Sequence, residues 1–312
     1  MFIGGLATLI AGGELLVRGA SGLALKFNIS TLVIGLTVVA FSTSAPELLV
    51  CIQAALNNWN DIVMGNVMGS NMCNLGLVLG ITAVIFPIKI SKDSIRIDWP
   101  VMMVATIMLY FFVQNNYINT WEGGVFLACI IAFIVIMIFK TRTVDETETE
   151  HIPDEEEEAI LQQKDKTLSV IFSLLLGGSL ALTFGADWFV EGATKIAKDL
   201  GVTERMIGLT AVALGTSLPE LVTSVVAATK KETDIAIGNI IGSNIFNIFL
   251  ILGVTSLIRE IRVSEAILSI DMLWVLGISA IMLPMMLTRR QIGRIEGAIL
   301  LAIYFTYIYL LF

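Results

Sequence analysis

The chain has 312 residues, 56% of them hydrophobic and 15% charged, with a mean hydropathy of +0.86. Soluble domains carry roughly 45–50% apolar and about 25% charged residues, so a soluble core is excluded and an all-α polytopic membrane protein is expected. The net charge of −8 is local, because segment 141–166 holds ten acids against three bases, and no basic face interleaved with aromatics points to nucleic acid.

About 20 apolar residues are needed to cross a bilayer as a helix. In chain order the pattern predicts spans at 2–25, 32–56, 62–87, 98–114 and 121–139. No basic n-region or cleavage signal precedes the first of them, so no signal peptide is expected. Residues 141–166 are predicted to be a solvated acidic linker without EF-hand spacing. Five more spans follow at 168–197, 205–229, 235–258, 266–287 and 292–312. Cys51, Cys73 and Cys129 lie in apolar runs without metal spacing and read as small buried side chains. The single histidine, His151, falls in the linker, which leaves no Ser-His, Cys-His or His-ligated metal site inside the membrane.

The two halves repeat each other. An offset of 173 residues aligns Gly12 with Gly185 through Ser91 with Ser264 without a gap. The densest matches pair GLTVVAFSTSAPELLV (35–50) with GLTAVALGTSLPELVT (208–223), and GNVMGSNMCNLGLVLG (65–80) with GNIIGSNIFNIFLILG (238–253). They include Thr, Ser, Pro, Glu, Asn and Gly, residues that chance likeness between apolar helices does not supply. Glu14 matches Asp187 and Arg18 matches Glu191, near span ends where loop or headgroup contact explains them; Asp271 and Glu296 have no partner in this alignment. Five spans is an odd number, so the second copy must be inverted. The predicted organisation is therefore a first five-helix repeat (1–140), a cytoplasmic linker (141–166) and a second, inverted five-helix repeat (167–312), an arrangement characteristic of secondary transporters with a site at the midplane. With the N-terminus outside, the inner loops hold thirteen Lys and Arg and the outer loops five. The positive-inside rule thus puts both termini outside a cell membrane.

In TSAPE (43–47) and TSLPE (216–220), proline precedes glutamate in mid-span. Proline donates no backbone hydrogen bond and clashes with the preceding turn, so each central helix is expected to bend there. The break should free carbonyls around Ala40, Thr43, Ala213 and Thr216. Hydroxyls of Thr43, Ser44, Thr216 and Ser217 lie within a turn, and these are hard oxygen donors suited to Na⁺ or Ca²⁺. A charge in the membrane costs about 2.5–3.5 kcal/mol on insertion scales and is functional by default. Glu47 and Glu220, brought together from inverted halves, would repel each other unless a cation neutralised both. In GNxxGSNxxN, Ser70 shares a helix face with Asn74, and Ser243 with Asn247; both faces offer neutral oxygens. Asn66, Asn71, Asn239 and Asn244 are expected to cap or bridge broken segments, and most of the glycines to serve close packing.

These duplicated motifs resemble the two alpha-repeats of the cation/calcium antiporter superfamily, and are most similar to those of prokaryotic sodium/calcium exchangers, over essentially the whole chain. The resemblance implies that Glu47 and Glu220 bind Ca²⁺ with Thr43 and Thr216. It further implies Na⁺ sites built from Ala40, Ser44, Ser70, Ala213, Ser217, Ser243 and the same two glutamates, with Asn74 and Asn247 lining the centre. It implies three Na⁺ exchanged per Ca²⁺ and sliding of the first and sixth helices across a rigid core; because the inverted repeat completes its site within one chain, a functional monomer is expected, and no cofactor. Ser42 stands where the second repeat has Gly215, which should stiffen the first break. Asn247 replaces an aspartate of the potassium-dependent branch. Gly69 and Gly242 replace the glutamate of the GNxxE motif in proton-coupled relatives, which ranks Ca²⁺/H⁺ antiport second. A cation channel is the alternative from another class, but it would usually build its pore from several chains. An intramembrane protease lacks its histidine or paired aspartates.

Overall fold

A computed structural model describes residues 1–140, 167–200 and 215–311. Among these residues nine helices are long and apolar enough to cross a membrane: α1 (Phe2–Phe27), α2 (Thr31–Leu56), α3 (Asn60–Ile85), α4 (Ser94–Asn115), α5 (Thr120–Phe139), α6 (Leu168–Asp199), α8 (Thr233–Ile258), α9 (Ile267–Leu287) and α10 (Arg294–Leu311). A shorter apolar helix, α7 (Leu218–Thr229), lies between α6 and α8. The protein is thus a polytopic all-α membrane protein. The linker 141–166, the start of the seventh predicted span and Ala213 lie outside the described residues.

Four two-residue strands form two antiparallel ribbons. β1 (Ile88–Lys89) pairs with β4 (Gln291–Ile292), and β2 (Tyr117–Ile118) pairs with β3 (Ile261–Arg262). The repeat maps β1 onto β3 and β2 onto β4, so each ribbon is the image of the other. The loop after α3 and the loop after α9 must share a membrane face to pair. Between them lie α4, α5, α6, α8 and α9, an odd number, so parity requires a further crossing, to which α7 belongs.

The inversion is visible directly in α1 and α6, which are repeat equivalents and run antiparallel against each other. Gly12 lies on Leu182, Gly19 on Leu175, and Gly192 on Phe2. A Cβ on Gly178 would come within 2.6 Å of the Leu16 backbone nitrogen. Only glycine permits that approach, and close backbone contact is what associates helices in lipid, where apolar burial supplies no drive.

The repeat also extends past Ser91, contrary to the expectation that Asp271 and Glu296 stand alone. Asp98 and Asp271 close equivalent π-helical turns, Ser94–Asp98 and Ile267–Asp271. A one-residue insertion then matches Glu122 with Glu296. Each of these glutamates reaches back to cap its own helix: Asn119 N–H donates to Glu122 Oε2 at 2.7 Å, and Gly293 N–H to Glu296 Oε2 at 3.0 Å. These are glutamates at the third helical position satisfying the N-cap amide. Alignment without a gap could not register the pair.

The centre of the molecule is made by α3 and α8, the most completely buried of the long helices, with α2 and α7 packed beside them. Large apolar side chains of the outer helices, such as Phe111, Trp121 and Tyr309, remain exposed, as a lipid-facing surface requires.

Candidate functional site

The two proline motifs fold differently. In α2, Pro46 is accommodated inside the helix Ala40–Leu56, preceded by a π-helical stretch, Gly35–Val39. In the second repeat the helix starts afresh at Leu218 after Ser217 at φ −92° and ψ 3°, with Pro219 in its first turn, where a missing N–H costs nothing. The second helix is thus broken ahead of α7, whereas α2 continues through Pro46, in line with the stiffer first break expected from Ser42. Ser42, which donates to the Val38 carbonyl at 2.7 Å, replaces the more permissive Gly215. The carbonyl of Ala40 accepts from the Thr43 hydroxyl at 3.3 Å.

Glu47 and Glu220 are 1% and 0% exposed. The Ser44 hydroxyl of α2 donates to Glu220 Oε1 at 3.3 Å, joining the two repeats at their acids. Thr43 donates to Asn239 Oδ1 at 3.0 Å and lies 3.4 Å from Ser243 Oγ. Asn239 in turn donates to the Glu220 carbonyl and to Ser224 Oγ. Thus Thr43, Ser44, Glu220 and Ser243 meet in one polar centre, with Asn239 as the bridge expected of it. Ser70 and Ala40 are buried as well. Thr216 is half-buried and lines a cavity of about 320 Å³ between α6 and the two proline turns, Pro46 and Pro219. No placement is described for Ala213.

Several oxygens in this centre are buried and have no protein partner: both carboxylate oxygens of Glu47, Oε2 of Glu220, Oγ of Ser217 and Oδ1 of both Asn74 and Asn247. An unsatisfied buried polar group costs about 1–3 kcal/mol, and a charged one more. Such a concentration of donors without partners is the arrangement expected of a cation cradle. The two asparagines that were expected to be equivalent differ: Asn247 donates to Asn71 Oδ1 at 3.1 Å, whereas Asn74 has no partner. Both sit in π-helical segments, Cys73–Val78 and Asn247–Leu252, a distortion that often accompanies function.

The sequence did not single out Ser224 or assign Cys51 a polar role. They are repeat equivalents, each one turn after its glutamate, and each contacts the matching asparagine: Cys51 with Asn66 at 3.4 Å, Ser224 with Asn239 at 3.1 Å. The spacing of four from each glutamate was the available signal. Glu14, expected to contact loop or headgroup, is held by Arg18 on its own helix and by Lys230 in the turn after α7.

Comparison with known proteins matches this architecture throughout. The family model for "Sodium/calcium exchanger protein" matches residues 1–139 and 170–312. The chain is 37% identical to the putative antiporter CaxA of Alkalimonas amylolytica, over 99% of this chain and 96% of that protein. It is 34% identical to the sodium/calcium exchanger MaX1 of Methanosarcina acetivorans, with the same coverage. Among solved structures it superposes on the sodium-calcium exchanger NCX_Mj soaked with zero Na⁺ and Ca²⁺, at a TM-score of 0.81 and 32% identity, covering 100% of this chain and 97% of that one. These relatives are transporters, not enzymes. The chain belongs to the sodium/calcium exchanger protein family.

Proposed function

We propose that this member of a cation/Ca²⁺ antiport family exchanges Na⁺ for Ca²⁺ by alternating access, at a single set of oxygens around Glu47 and Glu220. The observation that carries this reading is the burial of the two carboxylates beside each other's helices, with three of their four oxygens lacking any protein partner. Thr43, Thr216, Ser44, Ser217, Ser70, Ser243, Asn74, Asn247 and the carbonyls of Ala40 and Ala213 supply the remaining neutral oxygens. Hard oxygen donors of this kind suit Ca²⁺ and Na⁺.

With asparagine at both central positions, the two ionised glutamates give the site a charge of −2. One Ca²⁺ neutralises it, as do two Na⁺; a third Na⁺ leaves +1. Exchange of three Na⁺ for one Ca²⁺ then moves one net charge per cycle. A tenfold gradient is worth about 1.4 kcal/mol per ion, and one charge about 2.3 kcal/mol per 100 mV. A tenfold Na⁺ gradient with 100 mV would therefore sustain a Ca²⁺ gradient of between about four and five decades. The chain lies in the cell membrane with both termini outside and works as a monomer, because both halves of the site come from one polypeptide.

The test is ⁴⁵Ca²⁺ uptake into proteoliposomes under an imposed Na⁺ gradient or an imposed pH gradient. Uptake driven by Na⁺ and indifferent to pH is expected; uptake driven by pH alone would replace Na⁺ with H⁺ as the coupling ion.

A further inference from the structure

We infer that α1 carries a clasp that seals the β1/β4 face of the centre and biases the chain toward opening on the opposite face. The inference rests on the alternating-access reading. Lys230, at the end of α7, donates to Glu14 Oε1 across 2.9 Å, and Glu14 is held in place by Arg18 one turn away on α1. Farther along α1, Ser21 donates to Glu232 Oε1 at 3.1 Å. Beside Glu14, Gly13 lies against Val222 and Val226, so α1 rests flush on the half of α7 that leads from the centre to this face. The four contacts join residues more than 200 positions apart, so none follows from local helix geometry.

The inverted repeat supplies an internal control. The equivalents of Glu14 and Lys230 are Asp187 and Asn57, and those of Ser21 and Glu232 are Thr194 and Trp59. Neither mirror pair can make an ion pair, and among the described residues Asp187 has no basic partner. There α6 packs less extensively on α2 than α1 does on α7, and a cavity of about 320 Å³ opens between them, with Asp187 and Glu191 on its wall and Pro46 and Pro219 beneath. Two halves built on one plan thus differ in closure where their charges differ. Burial also pushes the Glu232 carboxyl above the usual carboxylate range, while the Ser21 bond favours its charged form. A part-exposed ion pair is worth little in absolute terms, but a two-state carrier needs only a small difference between its ends to shift its populations.

Hydrogen exchange of the full-length protein in nanodiscs tests the clasp without relying on transport. Lys230→Met, Glu14→Gln and the double variant should each raise exchange in residues 14–24 by roughly three- to fivefold, the double variant no more than either single one. Asp187→Asn should leave that segment unchanged. In proteoliposomes the same variants should lower the half-saturating Ca²⁺ at the β1/β4 face relative to the other face by a similar factor. Unchanged exchange in Lys230→Met, or additive effects in the double variant, would overturn the clasp. Absence of Na⁺-coupled Ca²⁺ flux in the wild type would instead overturn the exchange reading, leaving the exchange measurement to decide on the clasp.

Discussion

At the residue scale the informative contrast is between Asn74 and Asn247. Both were legible in the sequence as members of duplicated GSNxxN faces, and identical motifs gave no reason to separate them. The fold separates them at one atom: Asn247 Nδ2 is tied to Asn71 Oδ1, whereas Asn74 Nδ2 has no partner, and Oδ1 of both asparagines is buried without one. Asn74→Ala should therefore leave stability nearly unchanged and weaken Ca²⁺ binding by roughly tenfold, the loss of one neutral ligand. Asn247→Ala should weaken Ca²⁺ binding similarly and, by stranding Asn71 Oδ1 as well, lower unfolding stability by about 1–3 kcal/mol. Calcium titration alongside thermal unfolding of the two variants reads both effects. The glutamates themselves were readable because a bilayer penalises charge so heavily that paired acids in mid-span demand a purpose. The bridging by Asn239 to Thr43 and Ser224 was not readable in detail, since it depends on how α2, α7 and α8 approach in space.

At the scale of elements, the two proline motifs part where the sequence expected the first to be stiffer. Only the second helix restarts; in α2 a π-helical stretch precedes Pro46, and Ser42 bonds the Val38 carbonyl where the second repeat has Gly215. The π-helical turns leave no clear mark in sequence, since they arise from packing strain rather than residue preference. The α1–α6 contact is more transparent. Glycines repeat along both helices at intervals of seven, and they mark the faces where backbones touch. Gly178→Val would drive its side chain into the Leu16 backbone. The variant should fold with α1 and α6 forced apart, at a cost of about 1–3 kcal/mol from overpacking. Transport should slow by tenfold or more while equilibrium Ca²⁺ binding at the intact centre changes little. Parallel flux and binding measurements separate the two.

For the whole molecule, the odd number of spans per repeat was enough to predict inversion, and the antiparallel run of α1 against α6 bears it out. The two ribbons add what composition could not: they fix which loops share a face, placing Lys89 and Arg290 together and Arg262 on the other side. That grouping agrees with the positive-inside count, which assigns the first pair to the cytoplasm. A green fluorescent protein fused to the C-terminus should thus stay dark when the chain is inserted through the secretory pathway of a bacterium, whereas a periplasm-active phosphatase fused there should be active. A fluorescent C-terminal fusion would reverse the orientation without disturbing the fold.

The claim on which the rest depends is that Glu47 and Glu220 grip the same Ca²⁺. It is tested most directly by Na⁺-gradient-driven ⁴⁵Ca²⁺ uptake in proteoliposomes bearing Glu47→Gln or Glu220→Gln. Each substitution keeps the side-chain volume but removes half the charge of the centre. Uptake should fall by more than about 100-fold in both, beyond the 10–100-fold loss typical of residues that only support a ligand, with wild-type yield of folded protein. Uptake within a few fold of wild type in either variant would contradict a shared site.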